Sequence, residues 1–245
     1  DVRGQPRPWI ALSFALGAWL LVVAARATAP DDLLTRDQER VAAYVLDIVE
    51  NGRWLAQDDA EGNFASKPPL FNWLAALGVL AVGDTGRIAM AFPSWFATLL
   101  TTLLVLATAA RSFGRSAGIW AALFCFASML GLRQVLIVRT DGLFQLFVFA
   151  ATLWAFDAFE RRRTWLPFWI AATLATMTKG PLVLVLGTIG LLAFVRERPF
   201  RPRWREHAIG VAILVLVCGA WFVAANVATD GRAWQKLIVD ELVGH

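Results

Sequence analysis

The chain has 245 residues, of which 58% are hydrophobic and 17% charged, against roughly 25% charged in an ordinary soluble domain. That balance excludes a water-soluble globular enzyme. The net charge of +4 does not indicate nucleic acid, because the arginines gather between apolar runs as membrane anchors do.

In chain order the apolar runs cover residues 8–25, 68–83, 88–110, 116–132, 142–156, 164–178, 180–195 and 208–229. The longest reach the ~20 residues a helix needs to cross hydrocarbon, and the shorter ones rely on snorkelling flanks. The first is read as a retained span, since no small-residue cleavage pattern follows it. Cys125 and Cys218 both sit inside apolar runs, and the two histidines lack ligand spacing, so neither a disulfide framework nor a zinc motif is expected.

Loop charges set the sidedness. Arg3 and Arg7 place the start inside, which delivers residues 30–67 outside. The basic loops 111–115, 160–163 and 196–205 fall inside, and the turns at 133–141 and 179–181 fall outside. The parity holds if 68–83 is a half-inserted helix, since 16 residues span only about 24 Å. The expected fold is therefore all-α integral membrane, with about seven transmembrane helices over 1–229 and an outer segment beginning at 230–245.

Within the outer loop, Thr35 and Gln38 form a capping-box pattern, and Val41, Tyr44, Val45 and Ile48 follow at helical spacing. This predicts an amphipathic juxtamembrane helix over 36–50, lying in the headgroups or against the bundle and ended by Asn51-Gly52.

Asp37 in its first turn suits the helix dipole. It is also placed to act as a general base at the membrane face. Glu39 and Asp47 compete for that role, although Asp47 fits a solvated face better. Lys67 precedes two prolines that stiffen its backbone; it reads either as a snorkelling anchor or as a phosphate contact. Asp141 could cap the following span, with Arg139 as its ion-pair partner. Lys179 interrupts a long uncharged stretch, where a charge costs at least ~2.5 kcal/mol and is usually functional or paired. Asp37, Lys67, Arg87, Asp141 and Lys179 all fall on the outer face. Cations with carboxylates at that boundary suit sugar transfer from a lipid phosphate: the cations stabilise the departing phosphate and a carboxylate activates the acceptor.

The motifs Asp37-Gln38-Glu39-Arg40, Asn51-Gly52-Arg53-Trp54-Leu55, Lys67-Pro68-Pro69-Leu70-Phe71-Asn72-Trp73-Leu74, Arg139-Thr140-Asp141-Gly142-Leu143 and Thr178-Lys179-Gly180-Pro181 resemble the GT-C membrane glycosyltransferases. The nearest likeness is to the protein O-mannosyltransferase superfamily and its bacterial branch of lipid A aminoarabinose transferases. The resemblance implies a GT-C bundle in a bacterial inner membrane with its active site on the periplasmic face. It also implies a polyprenyl-phosphate sugar donor, an acceptor hydroxyl on a lipid, glycan or protein, and inversion at the anomeric carbon.

By this resemblance Asp37 and Asp141 are the catalytic acids, and Lys67, Arg87 and Lys179 contact the donor phosphate. Arg40, Arg139 and Glu241 are further candidates. The chain departs from the pattern at Gln38, where the family often has a second acid, at Val41, where it often has tyrosine, and at Ser66. There the aminoarabinose branch carries a glutamate that takes part in metal binding, so a divalent metal and the identity of the sugar stay open. Relatives run to about twice this length, so a partial protein is expected. The competing functions are a lipid-linked sugar carrier or flippase, for which the same charges form a transit site, and an inactive partner subunit.

Overall fold

The computed structural model describes residues 8–28, 33, 35–135, 137–181, 187 and 203–243. They form α1 (Pro8–Ala27), α2 (Arg36–Asn51), α3 (Leu70–Val82), α4 (Arg87–Met90), α5 (Phe92–Phe113), α6 (Arg115–Ala127), α7 (Met129–Gln134), α8 (Asp141–Glu160), α9 (Leu166–Lys179) and α10 (Trp204–Ala228). A short turn and a π-helical stretch, Gln235–Val243, follow. No strand occurs among the described residues; Asp58 and Phe64 form an isolated bridge.

By length and composition, α5, α8 and α10 are able to cross a membrane, while Leu12–Ala27, α3 and α6 are apolar but shorter. The run at 180–195, expected as the sixth span, lies almost wholly outside the described residues, as do Arg3, Arg7 and most of the basic loop 196–205.

Thr35 enters α2 in an extended conformation but makes no side-chain cap, so the expected capping box is not formed. Gln38 is instead buried, and its Oε1 accepts from the backbone N–H of Val138 at 3.2 Å. A buried amide must find an acceptor, and this one draws Gln38 away from the helix start. The helix ends where Gly52, at φ 67°, adopts the left-handed conformation and donates to the Ile48 carbonyl at 3.0 Å. Its Ala42, Val45 and Ile48 join Trp19, Phe71 and Ala75 in the main core.

Asp47, expected on a solvated face, is buried. Its Oδ2 accepts from the Asp58 N–H at 2.9 Å and its Oδ1 from Asn51 Nδ2 at 2.8 Å, so this carboxylate folds the outer loop back onto α2. Farther along that loop, burial pushes the Asp59 carboxyl up, but hydrogen bonds from Asn63 and from the Glu61 N–H outweigh it and hold the group below the ordinary aspartate value.

The helix α3 follows Pro68-Pro69 and has 13 residues, about 20 Å of rise and short of the ~30 Å hydrocarbon core. It buries Phe71, Asn72, Ala75, Ala76 and Val79. Gly118 lets α6 press against α5, since a Cβ there would stand 2.8 Å from the Leu106 carbonyl oxygen.

The run 116–132, read as one span, is in two pieces. Ser128 turns to ψ 147° between α6 and α7, with its hydroxyl donating to the Cys125 carbonyl at 2.8 Å, a local bond that competes with the helical ladder.

At one end of the bundle, Arg203 Nη2 donates to the Arg162 carbonyl at 2.8 Å and the Trp165 N–H to Glu206 Oε2 at 2.6 Å. These bonds hold the α8–α9 turn against the start of α10. The far end of α9 and the start of α8 are thereby brought together at the opposite end, beside the N-terminus of α2.

Candidate active site

The opposite end holds a cleft of about 290 Å³. Four segments supply its polar wall: Asp37 and Arg40 from the first turn of α2, Ser66 and Lys67 from the chain before α3, Arg139 to Asp141 at the start of α8, and Lys179 at the end of α9. Tyr44, Ala65 and Pro68 add less polar surface.

Local structure explains each placement. Asp141 is the first residue of α8 and Lys179 the last of α9, so each charge sits at the helix end whose backbone partial charges favour it. Gly180, at φ 83°, ends α9 and donates to Thr176 at 2.8 Å, which leaves the lysine at the terminus. Lys179 Nζ contacts Asp141 Oδ1 at 2.5 Å and lies 5.7 Å from the Phe144 ring centroid. Arg139 reaches both acids: its Nε is 3.0 Å from Asp141 Oδ2 and its Nη2 is 3.6 Å from Asp37 Oδ2.

Asp37 also faces Arg40 at 3.6 Å. Both of its ion pairs are longer than a hydrogen bond, and its side chain is 57% exposed, so the carboxylate keeps lone pairs free toward the cleft. Lys67 makes no ion pair among the described residues and lies close enough to Asp141 for its charge to act on that carboxylate.

Four cations therefore surround two carboxylates. A cleft with that excess positive charge is suited to an anionic group such as a lipid phosphate.

Arg87, expected with this group, is placed elsewhere. It is buried in α4, where its Nη2 donates to the Arg26 carbonyl at 2.8 Å. Glu39 is exposed and does not line the cleft, Asp47 is enclosed by its loop partners, and the side chain of Glu241 lies outside the described residues.

Two supporting residues are not among the site candidates read from the sequence, although Asn72 lies within the motif that begins at Lys67. Ser94, fully buried near the start of α5, donates to the carbonyls of Ile137 at 2.6 Å and Arg139 at 3.2 Å. With Gln38 bonded to Val138 on the other side, the segment that presents Arg139 is held from both flanks. Asn72 also lines the cleft, and its amide donates to Gln57 Oε1 at 3.2 Å.

A divalent ion does not fit this donor set. No group of three or more His, Cys, Asp or Glu stands together among the described residues. Ser66 offers a hydroxyl in place of a carboxylate, and both acids already face cations.

Residues 66–222, more than half of the chain, match the family described as dolichyl-phosphate-mannose-protein mannosyltransferase. Two similar curated proteins are undecaprenyl phosphate-alpha-4-amino-4-deoxy-L-arabinose arabinosyl transferases. That of Pseudomonas savastanoi pv. phaseolicola is 27% identical over 202 residues, covering 78% of this chain and 37% of the relative. That of Shewanella sediminis is 27% identical over 214 residues, covering 80% and 37%.

The fold is similar to ArnT from Cupriavidus metallidurans. In the apo state the TM-score is 0.76 at 19% identity, over 89% of this chain and 41% of that one. Bound to undecaprenyl phosphate it is 0.80 at 18% identity, over 96% and 44%. The chain thus spans well under half the length of the relatives it matches.

Proposed function

The chain belongs to the dolichyl-phosphate-mannose-protein mannosyltransferase family, and from that premise we propose that it is the site-bearing part of a bacterial inner-membrane glycosyltransferase. It moves a sugar from a polyprenyl phosphate to a hydroxyl acceptor on the periplasmic side. The curated relatives are named for an undecaprenyl-phosphate donor, and one ArnT structure is bound to undecaprenyl phosphate, which supports that donor class here.

The observation that carries the reading is the cleft itself: Arg40, Lys67, Arg139 and Lys179 around Asp37 and Asp141, drawn from four separate segments. In the proposed reaction the acceptor oxygen bonds to the anomeric carbon on the face opposite the phosphate. The bond from that carbon to the phosphate oxygen breaks, its electron pair leaves with the phosphate, and the configuration inverts. Asp37 takes the acceptor's proton. Lys67 and Lys179 stabilise the charge on the departing phosphate, while Asp141 orients Lys179 and Arg139. Arg87, whose Nη2 donates to the Arg26 carbonyl, is not among the phosphate contacts proposed.

The proposed topology is a GT-C bundle of about seven spans over 1–229, with 68–83 half-inserted and α2 at the outer rim. Residues 230–245 begin an outer segment. Contact between Arg232 and Asp58 at 2.8 Å supports placing that segment on the same side as the first loop.

Incubating the protein in membranes with an undecaprenyl-phosphate sugar labelled in the sugar tests the reaction class. Transfer of label to an acceptor with release of undecaprenyl phosphate is expected. Movement of intact donor across the bilayer without cleavage would make it a carrier instead.

A further inference from the structure

Gln57 is 1% exposed and does not line the charged cleft. Its Nε2 donates to the carbonyls of Arg53 at 2.9 Å and Trp54 at 2.8 Å, and its Oε1 accepts from Asn72 Nδ2 at 3.2 Å. The amide has one workable orientation, because turning it over would set its oxygen against two carbonyl oxygens.

The main chain of the same residue holds a second element. The Gln57 carbonyl accepts from the Ala65 N–H at 2.9 Å. Together with the Asp58–Phe64 bridge and the bond from the Asp59 N–H to the Asn63 carbonyl at 3.0 Å, this closes residues 57–65 into a short hairpin. Ala65 stands before Lys67 in the chain, and Asn72 stands after it in the first turn of α3. One buried residue therefore grips the lysine-bearing stretch at both ends, through its backbone on one side and its side chain on the other.

Between those grips the chain has little freedom. Pro68 and Pro69 each fix a φ angle. Pro69 is fully buried, and its carbonyl accepts from the Trp73 N–H at 2.8 Å. Trp73 Nε1 donates at 2.6 Å to the same Trp54 carbonyl that Gln57 holds. The Lys67 ammonium makes no hydrogen bond or ion pair among the described residues, so the root of the side chain is what places it. A flexible four-carbon stem on a fixed root has less freedom to lose when its ammonium meets an anion.

We infer that Gln57 is a positioning residue: it holds the stretch from Ala65 to Asn72 so that Lys67 enters the cleft from one place. Its effect on binding depends on the proposed reading of Lys67 as a phosphate contact, whereas the positioning itself depends only on the bonds above.

Two readouts on the full chain in nanodiscs separate these. In a background of Cys125→Ser and Cys218→Ser, a nitroxide on Lys67→Cys reports the motion of the stretch by electron paramagnetic resonance. A nitroxide on Glu39→Cys, at an exposed position of α2, is the control. Gln57→Met keeps the bulk and removes all three side-chain bonds. It should shorten the rotational correlation time at position 67 by about twofold or more and leave position 39 unchanged. Asn72→Leu releases one end only; it should give a smaller change in the same direction and serves if the methionine variant does not fold. Gln57→Glu keeps an acceptor for Asn72 but turns an oxygen on the Arg53 and Trp54 carbonyls, and should behave as Gln57→Met does.

Undecaprenyl-phosphate affinity, read by native mass spectrometry, should fall about three- to tenfold in Gln57→Met, part of the worth of one charge-assisted bond. That loss should vanish when Lys67→Met is already present, since two changes acting through one group do not add. Unchanged mobility at position 67 in a folded variant overturns the positioning, and so does equal loosening at position 39. Additive losses of affinity overturn it too, because Gln57 would then act through another group. If Lys67→Met binds the lipid as the parent does, the phosphate reading of Lys67 falls and the nitroxide alone decides for Gln57.

Discussion

Lys179 Nζ lies 2.5 Å from Asp141 Oδ1 and so joins the C-terminus of α9 to the N-terminus of α8. The two side chains are 30% and 25% exposed; removing Asp141 leaves the Lys179 ammonium partly buried without this ion pair, and removing Lys179 leaves Asp141 with Arg139 as its ion-pair partner.

Lys179→Met alone should therefore destabilise the protein by about 1–3 kcal/mol, less than a fully buried pair would lose. The double variant with Asp141→Asn should recover part of that loss. Thermal unfolding in detergent, run as a double-mutant cycle, measures the coupling. Losses that simply add would show that the pair contributes nothing.

Lys67→Met should weaken binding of undecaprenyl phosphate by roughly 10- to 100-fold, the worth of one charge-assisted hydrogen bond of about 1.5–3 kcal/mol. Lys67→Arg should restore part of the affinity. Native mass spectrometry of the lipid-bound protein gives the comparison. Unchanged affinity in the methionine variant would remove Lys67 from the phosphate site.

How much of this was legible in the sequence depended on what each residue competes against. Lys67, Asp141 and Lys179 stand out because charges are scarce beside apolar runs, and a charge near lipid needs a reason. The end of α2 at Gly52 was readable because few residues other than glycine tolerate a positive φ there. The burial of Gln38, Asp47 and Ser94 was not readable, since a polar side chain near a helix start or on an amphipathic face looks solvated until its distant partner is known. For Gln38 that partner is the Val138 amide, 100 residues away. Nor did any proline or glycine announce the break at Ser128.

Gln38→Leu tests one such hidden contact. It leaves the buried Val138 N–H without an acceptor, at a cost of about 1–3 kcal/mol, and frees the segment that carries Arg139. A lower melting temperature is expected, together with a several-fold lower kcat at nearly unchanged KM for the donor. Gln38→Glu, which keeps an acceptor oxygen, should recover much of the rate. A Gln38→Leu protein with wild-type kcat would show that the Arg139 segment is held without it.

The outer loop should respond to acid through Asp59. Its carboxyl is held below the usual aspartate value by hydrogen bonds from the Glu61 and Asn63 N–H groups and the Asn63 amide. The stabilisation is therefore fully present above the ordinary aspartate range of about 4 and is lost as pH falls through the lowered value. Pepsin cleavage within residues 55–65, normalised to Asp59→Asn, should rise only in that acid range. A ratio that does not change with pH would contradict the assignment.

The central claim is that Asp37 removes the acceptor's proton in a cleft that binds the lipid phosphate through other residues. Measuring both undecaprenyl-phosphate affinity and sugar transfer in Asp37→Asn separates the two roles. The account predicts affinity within about twofold of the parent and transfer reduced by at least 10²-fold, the lower end of a general base's typical contribution. Normal turnover by that variant would contradict it.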